Sequence, residues 1–165
     1  MSKIEEYGKK ILTKEIKNER IVGYLKNYDN FKLDTLKKII NEINKFDLNE
    51  VTYYLKNKVH NVDDQMKWHV DDAIVMNVPS NNNYDDIKIS ENKQLVYHSQ
   101  KPIYTLIIYE SNYKDDFTGG ELEFVDGYKF KPKKGAYIFF NSCEVHKLNK
   151  INSGMRKSIL IKFYK

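Results

Sequence analysis

The chain has 165 residues, 41% apolar and 31% charged, with a formal net charge of +5 at pH 7. That is the size of one domain able to bury a core, and the balance excludes both a disordered chain and an integral membrane protein. No apolar run approaches a bilayer span, Met1-Ser2-Lys3-Ile4-Glu5 has no signal-peptide pattern, and the lone Cys143 cannot form an internal disulfide, so a reducing, cytoplasmic location is expected.

The first fifty residues carry helical patterns. Ser2-x-x-Glu5 fits a capping box. Asp34 is placed to cap a helix whose apolar positions Leu36, Ile39, Ile40, Ile43 and then Phe46 or Leu48 fall on one stripe. Such a stripe packs on a sheet more often than it binds a partner, so residues 1–50 are expected to form helical support.

From residue 51 the pattern changes to short β-like runs. In order they are Val51–Leu55, Met66–Asp71, Ile103–Tyr109, Glu121–Val125 after Gly119-Gly120, Ala136–Phe140 after Pro132-Lys133-Lys134-Gly135, and Lys157–Phe163. Residues 79–101 are a long polar insertion, expected as a surface loop or a lid over a site. Many short strands between Gly/Pro turns predict a sandwich or jelly roll over 51–165, within a single domain spanning 1–165.

Chemistry concentrates on these strands. In a strand, residues i and i+2 share a face, so His69 and Asp71 converge while Asp72 points away. His146 must join them from another strand. Two imidazoles and a carboxylate can take one face of an Fe(II) ion and leave the remaining positions for a cosubstrate and O2. Arg156 suits the far end of a dicarboxylic 2-oxo acid, because a guanidinium binds a carboxylate through two parallel hydrogen bonds and stays charged when buried. Ser158 faces the same way, and the Tyr109 phenol ends the strongest strand where it could meet the same carboxylate. The bland alternatives are a surface ion pair for Arg156, a core aromatic for Tyr109 and a chance His-x-Asp. His60 and His98 lack a comparable context. A zinc hydrolase also accepts two His and a carboxylate, but leaves Arg156 and Tyr109 without a role.

Charge is uneven along the chain. Residues 128–165 hold ten Lys or Arg against Glu144, and residues 102–127 hold six acids against Lys114. Alternating solvated strand charges account for most of this; a basic patch that attracts nucleic acid is the sharper alternative.

Six segments in order resemble the prolyl-4-hydroxylase-like branch of the Fe(II)/2-oxoglutarate dioxygenases. They are Trp68-His69-Val70-Asp71, Tyr104–Tyr109, Phe117–Phe124, Pro132–Gly135, Phe139–Asn141 with Val145-His146, and Ser153–Ser158. The resemblance implies a mainly β protein with N-terminal helices and a double-stranded β-helix (jelly-roll, cupin-like) core. It implies iron on His69, Asp71 and His146, and 2-oxoglutarate on Arg156 with Tyr109 and, more weakly, Ser158. It implies O2 as oxidant, with ascorbate as an optional reductant, and hydroxylation of a prolyl residue in a protein or peptide. A nucleic-acid demethylase of the same fold, or a binding module that keeps the iron site without turnover, are the alternatives.

Overall fold

The computed structural model describes residues 20–71, 88–89 and 102–164. Its elements are β1 (Ile21–Tyr24), α1 (Leu33–Ile43), a single 3-10 turn (Leu48–Glu50), β2 (Thr52–His60), β3 (Met66–His69), β4 (Lys88–Ile89), β5 (Tyr104–Tyr109), β6 (Phe117–Gly119), β7 (Leu122–Phe124), β8 (Lys129–Phe130), β9 (Ala136–Asn141), β10 (His146–Leu148), β11 (Ile151–Gly154) and β12 (Arg156–Tyr164). They form a six-stranded sheet in the order β1-β9-β5-β12-β2-β4, a four-stranded sheet in the order β3-β10-β7-β8, and the pair β11-β6. All of these pairings are antiparallel, and neighbours far apart in sequence lie side by side, as in a jelly roll.

Strand alternation divides the larger sheet into two working faces. On β12, Ile159, Ile161 and Phe163 join Leu36, Ile39, Ile40 and Ile43 of α1 in one buried cluster, with Leu106, Ile108 and Phe139 from neighbouring strands. The opposite residues, Ile107, Tyr109, Ile138 and Phe140, pack on Leu122, Phe124 and Phe130 of the smaller sheet, with Leu160 against them. Fully burying one such aliphatic or aromatic side chain contributes roughly 1.5–3 kcal/mol.

The N-terminal region departs from the expected helical support. Ile21–Tyr24 is an edge strand paired with Tyr137–Phe139 and Ala136 of β9. Its β-branched residues suit the sheet. Gly23 is required there, since a Cβ would lie 2.2 Å from the Tyr137 ring.

The helix is found, but begins earlier and ends sooner than its apolar stripe suggests. Lys32 rather than Asp34 is the N-cap, and its backbone N–H donates to the Thr35 hydroxyl at 3.2 Å. Asp34 lies inside the first turn, where its charge favours the helix dipole. Asn44 ends the helix in the left-handed region (φ 56°), its N–H donating to the Ile40 carbonyl at 2.9 Å. Phe46 therefore reaches the core from outside the helix, stacked on Tyr104 at 5.7 Å between ring centres.

Every predicted strand is present, and β2 runs on to His60. The short β6, β8, β10 and β11 carry too few residues for periodicity to mark them. Ser2, Glu5 and Asp72 lie outside the described residues, as does the polar insertion 79–101 apart from Lys88–Ile89, which pair with Tyr53–Tyr54.

Candidate metal and cosubstrate site

β3 and β10 place His69 and His146 opposite each other in register, and Asp71 follows just past the end of β3. The Asp71 backbone N–H donates to the Ser142 carbonyl at 2.8 Å, which ties this residue to the loop leading into β10. The Nε2 atom of His69 lies 3.5 Å from one Asp71 oxygen, and that of His146 lies 3.4 Å from the other. The three ligand atoms lie within 4.8 Å of one another. Three donors about 2.1 Å from an ion and at right angles would sit about 3 Å apart, so this set would close by up to about 2 Å to grip an ion as a facial triad.

Both imidazoles are oriented from behind by the main chain. Nδ1 of His69 lies 2.6 Å from the Lys67 carbonyl, and Nδ1 of His146 lies 2.8 Å from the Glu144 carbonyl. A carbonyl only accepts, so each Nδ1 donates to the main chain and each Nε2 is the ring atom turned towards Asp71, where a metal would take the place of the proton that bonds it to the carboxylate.

The Thr105 hydroxyl donates to Asp71 at 3.2 Å and is 3.0 Å from the Ser142 hydroxyl. Burial works to raise the Asp71 pKa, but hydrogen bonds from His146 and His69 outweigh it and hold the carboxyl well below its usual range. The same contact raises His69, against the opposing pull of its burial. The pair of imidazoles thus stabilises a carboxylate that stays ionised, the form a cation requires.

A cavity of about 120 Å³ joins this triad to Arg156, Ser158 and Leu160 of β12. Those three alternate residues of one strand share its inner face. Arg156 is only 3% exposed, yet among the described residues its partners are neutral. One guanidinium nitrogen donates to the Tyr109 hydroxyl and another lies 3.1 Å from Nδ1 of His60, while Nε has no partner. A buried cation without a counterion is costly, and a ligand carboxylate would relieve that cost through charge-assisted bonds. The donor set therefore fits both groups: two nitrogens and an oxygen for a divalent metal, and an unneutralised guanidinium for a dicarboxylic acid.

All six residues singled out in the sequence meet here, with Tyr109 touching the cavity through Arg156. Four others carry no motif in the sequence. Thr105 and Ser142 support Asp71, His60 contacts Arg156, and Glu144 lies beneath His146. Glu144 is fully buried and ion-paired with Arg20, whose guanidinium stacks over Phe124 at 4.1 Å. Buried polar residues on apolar strands were the available signal, but their partners come from distant strands. Cys143 packs beside Val125 and Val145, and its thiol donates to Asn141 at 3.4 Å.

Comparison with known proteins gives the family and the fold. Residues 53–165 match the model of the 2OG-Fe(II) oxygenase superfamily. The viral collagen prolyl hydroxylase vCPH of Paramecium Bursaria Chlorella virus-1 superposes with a TM-score of 0.53 at 18% identity, covering 99% of this chain and 86% of that one. A Pseudomonas putida prolyl-4-hydroxylase gives 0.51 at 12% identity, covering 98% and 85%. The chain spans 49% of a Burkholderia pseudomallei oxidoreductase of the 2OG-Fe(II) oxygenase family, with 78% of this chain covered, 13% identity and a TM-score of 0.47. No curated protein matches significantly in sequence, and among the described residues no helix is long and apolar enough to cross a membrane. At such identities the solved structures speak for the fold; the family match spans more than half of the sequence, and the chain belongs to the 2OG-Fe(II) oxygenase superfamily, whose members take Fe(II) and 2-oxoglutarate.

Proposed function

We propose that this chain is a dioxygenase that hydroxylates a carbon of a protein or peptide, a prolyl residue being the first substrate to test. The observation that carries the chemistry is Arg156, a buried cation without a carboxylate partner among the described residues, facing the same cavity as His69, Asp71 and His146. The peptide substrate is supported by the fold shared with two prolyl hydroxylases, and is inferred from fold alone.

When bound, iron, 2-oxoglutarate and O2 supply the oxidation: the 2-oxo acid becomes succinate and CO2, and a substrate C–H gains hydroxyl. The chain does the rest. His69, Asp71 and His146 would hold the metal on one face. Arg156, fixed by Tyr109, would bind the distal carboxylate of the cosubstrate, with Ser158 beside it on the strand. Ile107, Leu122, Leu148 and Leu160 line the same cavity and keep bulk water from its walls. A single domain is part of this reading, because β1 from the first fifty residues shares a sheet with β9, β5 and β12. A reducing, cytoplasmic setting is the fitting one for Fe(II).

Anaerobic titration with Fe(II) and 2-oxoglutarate tests the site directly. The expected result is a weak visible charge-transfer band, absent in Asp71→Ala. Succinate formation on admitting O2 distinguishes an enzyme from a zinc hydrolase or a binding module. A peptide library scored by a mass gain of one oxygen then tests the substrate, with nucleic acid and free amino acids as competing arms.

A further inference from the structure

We propose that His60 is a further cosubstrate-binding residue, whose imidazole fixes Arg156 through Nδ1 and offers Nε2–H to the distal carboxylate of the bound 2-oxo acid. This rests on the dioxygenase reading above and deepens it. His60 and Arg156 are register partners on β2 and β12, directly opposite one another, and both line the cavity. The contact between a guanidinium nitrogen and Nδ1 is 3.1 Å.

A guanidinium has no acceptor, so Arg156 must donate and Nδ1 must accept. The ring is neutral at ordinary pH: burial, then the charges of Arg156 and Lys58, press its pKa down to about 4 against the weaker upward pull of Asp64. A neutral imidazole that accepts at Nδ1 carries its proton at Nε2. The contact thus determines the tautomer and leaves a donor on a ring that borders the cavity. Ionised carboxylates only accept, so a donor without a second positive charge is what a site already holding Arg156 can add without mutual repulsion.

The role separates into two functions that two variants divide. His60→Asn keeps an oxygen near the position of Nδ1 and so keeps the hold on Arg156, but loses the far donor. His60→Leu loses both. Calorimetry on the Mn(II)-loaded full chain would compare 2-oxoglutarate with 2-oxovalerate, which ends in a methyl group where 2-oxoglutarate has its distal carboxylate. We expect His60→Leu to weaken 2-oxoglutarate about 10- to 30-fold, with His60→Asn between it and wild type, because hydrogen bonds to charged groups carry effects of this size. Affinities for 2-oxovalerate and for Mn(II) should stay within about twofold.

Equal weakening of both acids would mean that His60 only supports the wall, and would overturn the proposal; so would an unchanged preference for 2-oxoglutarate in both variants. If His60→Leu does not fold, His60→Asn alone must still lower that preference. A wild-type protein that binds the two acids equally would overturn the dioxygenase reading itself, an outcome distinct from failure of the histidine alone.

Discussion

Replacing Thr105 by Val removes one hydroxyl and leaves the outline of the side chain nearly unchanged. Thr105 is completely buried, and its Oγ1 donates to Asp71 at 3.2 Å while standing 3.0 Å from the Ser142 hydroxyl. With the Thr105 proton committed to Asp71, Ser142 is the donor in the second contact. Thr105→Val therefore loses a charge-assisted bond, worth about 1.5–3 kcal/mol, and strips the Ser142 hydroxyl of an acceptor. The apolar methyl is better buried than the hydroxyl it replaces, which offsets part of this. A net loss of about 2 kcal/mol would lower Tm by about 4–8 °C in a protein of this size. Metal binding should suffer separately, because Asp71 is free to rotate away from the imidazoles. Loss of such supporting contacts typically weakens metal affinity by about 10- to 100-fold. Anaerobic Fe(II) or Mn(II) titration beside a melting curve measures both. A lowered Tm with unchanged metal affinity would refute the argument that Thr105 aims the carboxylate.

Three further outcomes follow from the same contacts. Arg156→Leu should weaken 2-oxoglutarate by more than about 100-fold, yet raise stability without cosubstrate by about 1 kcal/mol, since a poorly compensated buried cation is removed; a melting curve that falls would contradict this. Arg20→Met leaves Glu144 buried without its cation and should cost about 3–5 kcal/mol at neutral pH, much of it recovered in the double variant with Glu144→Gln. Burial, first of all, raises the Glu144 carboxyl above its ordinary pKa, so its ionisation costs stability as pH rises through that raised value, and the single variant should accordingly recover as pH falls. For His60 the sign is opposite: with a folded pKa of about 4 against an ordinary 6.5, the unfolded chain binds the proton first. Wild type should therefore lose stability relative to His60→Asn as pH falls from 6.5 towards 4, and a flat difference across that window would show the ring to be solvated.

What could be seen in the sequence was local. His69-x-Asp71 and Arg156-x-Ser158 are pairs on single strands or at their ends, where the two-residue repeat already says which side chains converge. The stripe from Leu36 to Ile43 is equally self-contained. His60 has neighbours in sequence that show no chemistry; its significance comes from the register that sets it against a residue 96 positions away. Thr105, Ser142 and Glu144 are similar cases, polar residues in apolar surroundings whose partners lie on other strands. The apolar stripe overstates the extent of α1 for a related reason. Phe46 and Leu48 continue the apolar stripe, but they are delivered to the core by a left-handed Asn44 and a turn, which hydrophobic spacing does not register. β1 was hidden by its brevity and by Gly23, whose role depends on the Tyr137 ring across the strand boundary.

β12 carries the molecule's two occupations on alternate residues: Ile159, Ile161 and Phe163 towards the helix, Arg156, Ser158 and Leu160 towards the cavity. A slip of the whole strand by one residue would exchange the two sets, sending a guanidinium into the oil and a phenyl ring to the side that faces the cavity. Substitutions on the cavity side can retune ligand choice one position at a time, while changes of length there are all-or-nothing. Descent from this chain is thus free to alter what the cavity accepts by exchanging letters, and must leave the spelling length of this strand alone.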